Sequence, residues 1–491
     1  MSSTYVQTGY GQVKGEQMNG VSVWKGIPYA KAARFHPPQR PDAWEGVYEA
    51  VRFGPAAMQP ESEVMSFLGA SIKEGEMSED CHTVNIWSPA ADGAKRPVMV
   101  WIHGGAFLNG AGSSPAYDGT TFAKEHDVVI VTFNYRLGVF GFLHAGSIDQ
   151  ERYTGSANCG LLDQIAALEW VKENIEGFGG DPENITVFGE SAGAMSIGVL
   201  LTLPAAKPLF QKAILQSGAS RNVLSPAIAE QVCRGVLAHL EISAEDIAKL
   251  EEVSAEELLA AAKNIPPMML GPTLDGVVIQ ELPEASLAKG VCRGIPILIG
   301  TNKDEYNLYS AFDSTLDQLD DEGVALRLQH MLQDKWAQIT PQLQGRTFDK
   351  GLFEQVMTFD IFTAPAIHLA QEQAKQEAPV WMYRFDWESP VLDGALKSCH
   401  ALEIPFVWNA LERGAGFLLG STPDKALADR MQKAWVAFAR EGDPNIEELP
   451  TWPAYHTKNR ETMIFDKDCR TITDPNQELR LIWEATALST Q

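Results

Sequence analysis

A Gly-Glu-Ser-Ala-Gly segment at residues 189–193 carries the strongest chemical signal in the sequence. It follows a short apolar run at 185–188, which predicts a buried strand, and it precedes an apolar stretch from residue 194, which predicts a helix. A serine on a sharp turn between strand and helix is forced to the top of a sheet, and flanking glycines let the two elements approach closely. The helix N-terminus would also direct free N–H groups at a developing oxyanion. Ser191 is therefore the predicted nucleophile.

A second signal is the segment His-Gly-Gly-Ala-Phe at 103–107, directly after the apolar run at 98–102. A glycine-rich turn exposes backbone N–H groups that can bind an oxyanion, and each such donor is worth on the order of 10²–10³ in rate. The alternative is an ordinary turn that needs glycine dihedral angles. The serine motif downstream favours the oxyanion site.

A serine nucleophile needs a base, and the base needs a carboxylate to orient it. Among the ten histidines, His400 stands out because it follows the predicted strand at 380–385 in a loop-like segment late in the chain. For the carboxylate, Asp304 and Glu305 both follow the apolar run at 296–299, where a parallel sheet places functional groups. Spacing leaves both acids open. The chain order of serine, acid and histidine is that expected of an α/β-hydrolase.

Short apolar runs alternate with helical patterns through the middle of the chain, which predicts a mostly parallel sheet with helices on both faces. These runs lie at 98–102, 128–131, 185–188, 213–215 and 296–299, and the clearest helical patterns lie at 161–175 and 425–438. The N-terminal portion instead predicts antiparallel strands, from residue 11 onwards and at 21–24, joined by a tight turn at Asn19-Gly20. Residues from roughly 313 to 374 predict a helix-rich insertion before His400, within a single domain spanning 1–491.

Composition excludes several classes of protein. The 491 residues carry a formal net charge of −25, which argues against nucleic acid or an anionic membrane as partner. The six cysteines form no CxxC pair, and no HExxH motif occurs, so we expect neither a metal nor a cofactor. The first residues lack the basic segment and apolar run of a signal peptide, and we expect a cytoplasmic protein with reduced thiols.

Taken together, these residues resemble the type-B carboxylesterases, which include the cholinesterases and the bacterial para-nitrobenzyl esterases. The resemblance covers essentially the whole chain, and its motifs look most like those of the para-nitrobenzyl esterases. Besides the segments at 103–107 and 189–193, the motifs are Trp-Lys-Gly-Ile-Pro-Tyr-Ala at 24–30, Ser-Glu-Asp-Cys at 78–81, Asn-Tyr-Arg-Leu-Gly at 134–138, Phe-Gly-Gly-Asp-Pro at 178–182, Gln-Ser-Gly at 216–218, Lys-Asp-Glu at 303–305 and His-Ala-Leu-Glu at 400–403.

The resemblance implies an α/β-hydrolase fold and a serine esterase that hydrolyses short- to medium-chain and aryl carboxylic esters through an acyl-enzyme. It matches the family's acid to Glu305 and its base to His400. It also matches the oxyanion donors to the backbone N–H groups of three residues, Gly105, Ala106 and Ala192. The implied partners are small-molecule esters, and the implied assembly is a monomer or a small homo-oligomer.

The resemblance also assigns residues around the triad. Glu190 and Ser217 match semi-buried polar positions, which either support the triad or are purely structural. Glu79 and Arg136 match a salt bridge of the family, and the family's partner for Cys81 is replaced at Met58, so no disulfide is expected there.

Other positions near the triad have two readings each. Phe107, Met268, Met269 and Leu270 could line an apolar acyl pocket, with core packing as the alternative. Cys399, next to His400, could confer sensitivity to thiol reagents or be a buried packing thiol. Two rival functions are a specialised hydrolase of carbamates, amides or one natural ester, and a non-catalytic binding protein of the same fold.

Overall fold

The protein is described by a computed structural model over residues 4–72, 75–376, 378–421 and 423–488. Its strands are β1 Tyr5–Thr8, β2 Gly11–Lys14, β3 Glu16–Met18, β4 Val21–Pro28, β5 Val47–Glu49, β6 Thr83–Ser88, β7 Arg96–Ile102, β8 Val129–Phe133, β9 Gly180–Glu190, β10 Lys212–Gln216, β11 Ile297–Asn302, β12 Val380–Phe385, β13 Glu461–Phe465 and β14 Arg470–Thr473. Its α-helices are α1 Glu63–Phe67, α2 Thr120–His126, α3 Gly138–Phe142, α4 Cys159–Asn174, α5 Ala192–Leu200, α6 Pro226–His239, α7 Ala255–Ala262, α8 Pro283–Ala288, α9 Asn307–Ser310, α10 Asp321–Leu332, α11 Trp336–Ile339, α12 Lys350–Thr358, α13 Ala364–Lys375, α14 Ile404–Val407, α15 Lys425–Glu441 and α16 Gln477–Leu488.

Eleven strands share one sheet in the order β14-β13-β12-β11-β10-β9-β7-β8-β6-β4-β3. Neighbours from β8 to β13 are parallel, and the pairs at both ends of the sheet are antiparallel. The strands β7, β8, β10 and β11 are buried along their whole length because helices cover both faces. That double burial explains their uninterrupted apolar runs. The mostly parallel sheet predicted from the sequence is confirmed.

The strand order reverses at β7, which lies between β8 on one side and β9 on the other. In open α/β sheets, the connections that follow the two strands at such a point run in opposite directions. A crevice therefore forms between them at the carboxyl ends of the strands. The glycine-rich turn at 103–107 follows β7, and Ser191 follows β9. The topology therefore brings the two strongest sequence signals to one crevice.

The N-terminal hairpin differs in detail from its prediction. Asn19 and Gly20 adopt positive φ angles and join β3 to β4, as expected for a tight turn. However, the strand predicted from residue 11 is divided at Gly15 into β2, which pairs with β1, and β3, which joins the large sheet. A Cβ at Gly15 would lie 2.3 Å from the carbonyl oxygen of Val23, so only glycine lets the chain cross β4 there.

The helical predictions at 161–175 and 425–438 correspond to α4 and α15. Between β11 and β12, the helix-rich segment contains α10, α11, α12 and α13, with a π-helical turn at Phe359–Thr363 between the last two. No helix in the described parts of the chain is long and apolar enough to cross a membrane.

The predicted salt bridge between Glu79 and Arg136 is wrong. Arg136 instead forms a buried pair with Asp163, with 2.7 Å between its Nη2 and Oδ1 of Asp163. Glu79 accepts hydrogen bonds from Arg34, one of them at 2.8 Å from Nε. Sequence alone did not favour Asp163, because it lies in the middle of α4 among apolar residues. Cys81 is a buried free thiol, as predicted.

Candidate active site

Ser191 occupies a strained turn between β9 and α5, with φ 53° and ψ −123°. Such dihedral angles are costly for a residue with a side chain and persist only where the surrounding structure enforces them. The enforcing contact is close packing of α5 against the end of β7, since a Cβ at Gly193 would lie 1.9 Å from the carbonyl oxygen of Ile102. The turn therefore presents Ser191, which is 8% exposed, to a cavity above the sheet.

His400 and Glu305 are joined by a short hydrogen bond, with 2.6 Å between Nδ1 of His400 and Oε2 of Glu305. Glu305 is fully buried, and its Oε1 accepts from the backbone N–H of Asn302 at 2.7 Å. Asp304, the alternative acid, is half-buried, and its backbone N–H donates to the carbonyl oxygen of Ser398. Of the two acids that spacing left open, only Glu305 contacts the histidine.

Glu190 places a second carboxylate against the same ring. Its Oε1 lies 3.1 Å from Nε2 of His400, without the alignment of a hydrogen bond. Burial raises the pKa of Glu190, and the positive charge of His400 opposes that rise. Burial alone would lower the pKa of His400, but the carboxylates of Glu190 and Glu305 outweigh burial and raise it. Ser217, the other polar position assigned near the triad, is buried, and its hydroxyl has no hydrogen-bond partner among the described residues.

Two aromatic rings that sequence analysis missed fix the plane of the imidazole. The ring of Phe362 lies 4.8 Å from that of His400, and the ring of Tyr309 lies 5.5 Å away. Tyr309 belongs to α9, and Phe362 belongs to the π-helical turn. Helical periodicity cannot reveal a π-helical turn, so no signal in the sequence pointed to Phe362.

The turn at 103–107 is shaped for backbone donors. Gly105 has φ 111°, and a Cβ there would lie 2.1 Å from the carbonyl oxygen of Asn109. Ala106 also has a positive φ of 55°. Among the described residues, no acceptor bonds the backbone N–H groups of Gly105 and Ala106. Ala192 is the first residue of α5, where backbone N–H groups have no partner within the helix.

Ser191, His400, Gly105 and Ala106 line one cavity of about 210 Å³. Most of its remaining wall is apolar and includes Val64 and Met65 of α1 and Leu68 directly after it, with Pro267, Leu308, Ile404 and Ala415. A larger surface groove of about 710 Å³ lies beside α13 and α16, and no residue of the proposed triad lines it.

The predicted pocket residues are not part of the wall of this cavity. Phe107 is fully buried and packs edge-on against Phe142, with 5.2 Å between the ring centroids. Leu270 is buried in the core, and Met269 is exposed. The segment touches the cavity through Pro267, just before Met268. The core-packing alternative thus describes Phe107 and Leu270.

A sheet with this strand order, carrying a serine on a tight turn at its switch point, defines the α/β-hydrolase class of enzymes. The family model described as the carboxylesterase family matches residues 2–481. The para-nitrobenzyl esterase of Bacillus subtilis (strain 168) is 44% identical over 98% of both chains. The phenmedipham hydrolase of Pseudarthrobacter oxydans is 34% identical over 92% of this chain and 93% of its own.

Solved structures agree with these relatives. The carboxylesterase EST55 of Geobacillus stearothermophilus is 47% identical and superimposes with a TM-score of 0.88, covering 98% of this chain and 100% of that one. The chain therefore belongs to the carboxylesterase family and is a carboxylic ester hydrolase.

Proposed function

We propose that Ser191, His400 and Glu305 are the catalytic triad of a serine carboxylesterase that hydrolyses short- to medium-chain and aryl esters. The observation that carries this proposal is the 2.6 Å bond between His400 and Glu305, beside a cavity that Ser191 also lines. The proposed nucleophile and base thus line one largely apolar cavity, and the buried orienting acid is bonded to the base, which is the arrangement that acyl transfer through a covalent intermediate needs.

In the first half of the reaction, His400 takes the proton of the Ser191 hydroxyl as its oxygen attacks the ester carbonyl. Glu305 holds the imidazole in the required tautomer and stabilises the imidazolium that forms. His400 then gives its proton to the departing alcohol, which leaves the acyl group on Ser191. In the second half, His400 activates a water molecule that releases the carboxylic acid and restores the serine.

We assign the binding of the negatively charged oxygen of the tetrahedral intermediate to the backbone N–H groups of Gly105, Ala106 and Ala192. The first two have no protein acceptor among the described residues, and the third lies at a helix N-terminus. Such donors are in place before charge develops, so they cost no reorganisation during the reaction.

The size and lining of the cavity support small apolar substrates. Its volume of about 210 Å³ corresponds to roughly seven water molecules at liquid density. That volume suits a short acyl chain or a single ring. The apolar wall contributed by α1 and Leu308 favours ester groups without charge.

The remaining expectations extend this proposal. Eleven of the described strands, all except β1, β2 and β5, share one sheet, which supports a single catalytic domain over 1–491 with the helical segment at roughly 313–374 as an insertion. The six free thiols support a cytoplasmic location. The net charge of −25 supports the expectation that the protein binds neither nucleic acid nor an anionic membrane. Small-molecule esters as partners, and a monomer or small homo-oligomer as the assembly, complete the proposal.

The test is hydrolysis of para-nitrophenyl butyrate in EDTA by the wild type and by Ser191→Ala. We expect the wild type to be active and the variant to lose activity by about 10⁴-fold or more. A fluorophosphonate should label the wild type once, at Ser191. Ser314→Ala, at an exposed site in the helix-rich segment, is the matched control and should behave as wild type. Activity or labelling that survives in Ser191→Ala would refute the assignment.

A further inference from the structure

A fully buried glutamate that the triad does not use lies three residues after His400. Glu403 is 0% exposed, and both of its carboxylate oxygens accept hydrogen bonds from side-chain amides. Nε2 of Gln216 donates to Oε1 at 3.0 Å, and Nδ2 of Asn302 donates to Oε2 at 2.8 Å. Neither donor is charged. A buried carboxylate without a cationic partner is costly, so its presence requires a reason.

Each amide that Glu403 binds is attached to a segment of the proposed triad. The carbonyl oxygen of Gln216 accepts from the backbone N–H of Ser191 at 2.9 Å. The backbone N–H of Asn302 donates to Glu305 at 2.7 Å. Nδ2 of Asn302 also donates to the carbonyl oxygen of Cys399, the residue before His400, at 2.7 Å.

The hydrogen bonds around Glu403 extend through Gln216 to a tryptophan in a long helix. Nε1 of Trp435, in the long helix α15, donates to Oε1 of Gln216 at 3.0 Å. That bond fixes which way the Gln216 amide faces, and its NH₂ group must then point at Glu403. Glu403 therefore accepts hydrogen bonds from the last residue of β10 and the last residue of β11, and it precedes α14 directly.

Burial and the charge of Glu305 raise the pKa of Glu403, whereas the hydrogen bonds that it accepts and the positive charge of His400 oppose that rise. Glu403 and His400 therefore favour each other's charged form. The pKa of His400, which burial would lower, is raised by the carboxylates of Glu190, Glu305 and Glu403. The other titratable groups that interact with these carboxylates are neutral, because burial raises their pKa values; they are Tyr117, Tyr309, Tyr383 and Cys399. The imidazolium formed during catalysis therefore interacts with three acidic side chains, and its positive charge favours the ionised form of Glu190 and of Glu403 against their burial.

We propose that Glu403 is a positioning residue, whose carboxylate ties the segments of Ser191, Glu305 and His400 together and stabilises the imidazolium. The proposal rests on the triad assigned above. Glu403 does not contact the cavity, so it acts through Asn302 and Gln216 and not on the substrate. Small displacements of reacting groups are expensive, since about 1 Å of misplacement can cost 10²-fold in rate.

The experiment is steady-state kinetics of Glu403→Gln across pH 5 to 9, roughly the range in which a histidine titrates, with the unfolding temperature measured in parallel. The substitution removes the charge but keeps the shape. Oδ1 of Asn302 is buried without a partner among the described residues, so Asn302 can turn its amide to accept from the new side-chain N–H, although it then gives up its bond to the carbonyl oxygen of Cys399. Glu354→Gln is the matched control, because it removes another buried carboxylate, one that accepts from Ser310.

We expect kcat of Glu403→Gln to fall by about 10- to 100-fold with little change in KM. We also expect the acidic limb of kcat/KM to move to lower pH by about 0.5 to 1 unit, because His400 loses a stabilising negative charge. Glu354→Gln should leave the acidic limb of kcat/KM at its wild-type pH. The proposal would be overturned if Glu403→Gln kept both the wild-type kcat and the wild-type acidic limb of kcat/KM. It would also be overturned if kcat fell while the acidic limb stayed in place and the unfolding temperature fell only as much as in Glu354→Gln.

A second variant keeps the test decisive if Glu403→Gln does not fold. Glu403→Asp retains the charge but is one methylene too short to reach both amides, so kcat should fall while the acidic limb stays in place. Wild-type kcat in Glu403→Asp would overturn the proposal. Fluorophosphonate labelling of Ser191 in the wild type separates the two hypotheses, because an unlabelled, inactive wild type counts against the triad and not against Glu403.

Discussion

Oε1 of Glu190 lies 3.1 Å from Nε2 of His400, the ring nitrogen that the proposed mechanism requires to face Ser191. Glu190 immediately precedes the proposed nucleophile, so the turn that exposes Ser191 also fixes a carboxylate beside the proposed base. The ring consequently has Glu305 at one nitrogen and Glu190 at the other. A negative charge at either position favours the protonated imidazole.

This contact predicts the direction of a change in pH dependence. The carboxylate of Glu190 raises the pKa of His400, and the proposed mechanism needs neutral His400 as a base. Glu190→Gln should therefore lower the pKa of His400 and shift the acidic limb of kcat/KM to lower pH. Glu183→Gln, at an exposed position of the same strand β9, should leave the profile unchanged. A shift to higher pH would contradict the electrostatic role of Glu190.

The adjacent acids at 304 and 305 allow a matched comparison. Glu305→Gln keeps the size of the side chain but removes the charge that holds the tautomer of His400. We expect kcat to fall by about 10³- to 10⁴-fold. Asp304→Asn should change kcat by less than about threefold, because Asp304 contacts the backbone of Ser398 instead of the histidine. Both are measured with para-nitrophenyl butyrate, and equal losses in the two variants would refute the choice of Glu305.

Sequence reasoning located those parts of the site that depend on local chain geometry. Ser191 and the turn at 103–107 were found because each directly follows an apolar strand and each needs glycine at a close approach. The choice between Asp304 and Glu305 required either the resemblance to a known family or the three-dimensional structure. Two consecutive side chains on one loop point in different directions, and no pattern in the sequence records which one faces a histidine almost 100 residues away.

The contacts that the sequence analysis did not predict all join segments that are far apart along the chain. The partner of Arg136 is Asp163 in α4, and the rings against His400 come from α9 and a π-helical turn. Polar residues in apolar surroundings, such as Asp163 or Glu403, were the available clue. Their partners are set by tertiary packing, which a single sequence does not encode in its periodicity.

The buried pair of Asp163 and Arg136 should dominate one part of the protein's stability. Asp163 is fully buried and accepts from the backbone N–H, Nε and Nη2 of Arg136, and Nε2 of His82 lies 3.2 Å from its Oδ2. Burial would raise the pKa of Asp163, but Arg136 and His82 outweigh it and lower that pKa. Asp163→Asn leaves the guanidinium buried without its counter-ion, and we expect a loss of about 3–5 kcal/mol in the free energy of unfolding at pH 7.

The sign of the pH dependence follows from that lowered pKa. The stabilisation is fully present above the unfolded-state pKa of about 3.9 and is lost as the pH falls towards the folded-state value. Urea unfolding of wild type and Asp163→Asn should therefore differ most near neutral pH and converge below about pH 4. Glu183→Gln removes the exposed pair with Lys172 and should cost less than about 1 kcal/mol. A similar small loss in Asp163→Asn would contradict the prediction.

Two glycine substitutions test the close packing behind Ser191. Gly193→Ala places a Cβ 1.9 Å from the carbonyl oxygen of Ile102, so α5 must move away from β7. We expect loss of fluorophosphonate labelling or of soluble folded protein. Gly235→Ala, in helix α6 with no atom within 4 Å of its new Cβ, should keep full activity and gain about 0.5–1 kcal/mol in stability. An active, labelled Gly193→Ala protein would show that the turn tolerates a side chain.

Cys399 and Cys469 differ in accessibility, and thiol alkylation should separate them. Cys399 is fully buried next to His400, and burial raises the pKa of its thiol, so the reactive thiolate is scarce and unreachable. Cys469 is half-buried near the protein surface, and burial raises the pKa of its thiol as well, so accessibility is what distinguishes the two thiols. We expect iodoacetamide at neutral pH to alkylate Cys469 and spare Cys399, as read by peptide mass spectrometry, while esterase activity persists. Cys469→Ser should remove the rapid labelling. Activity that declines in step with modification of Cys399 would instead establish that thiol as a sensitive point of the active site.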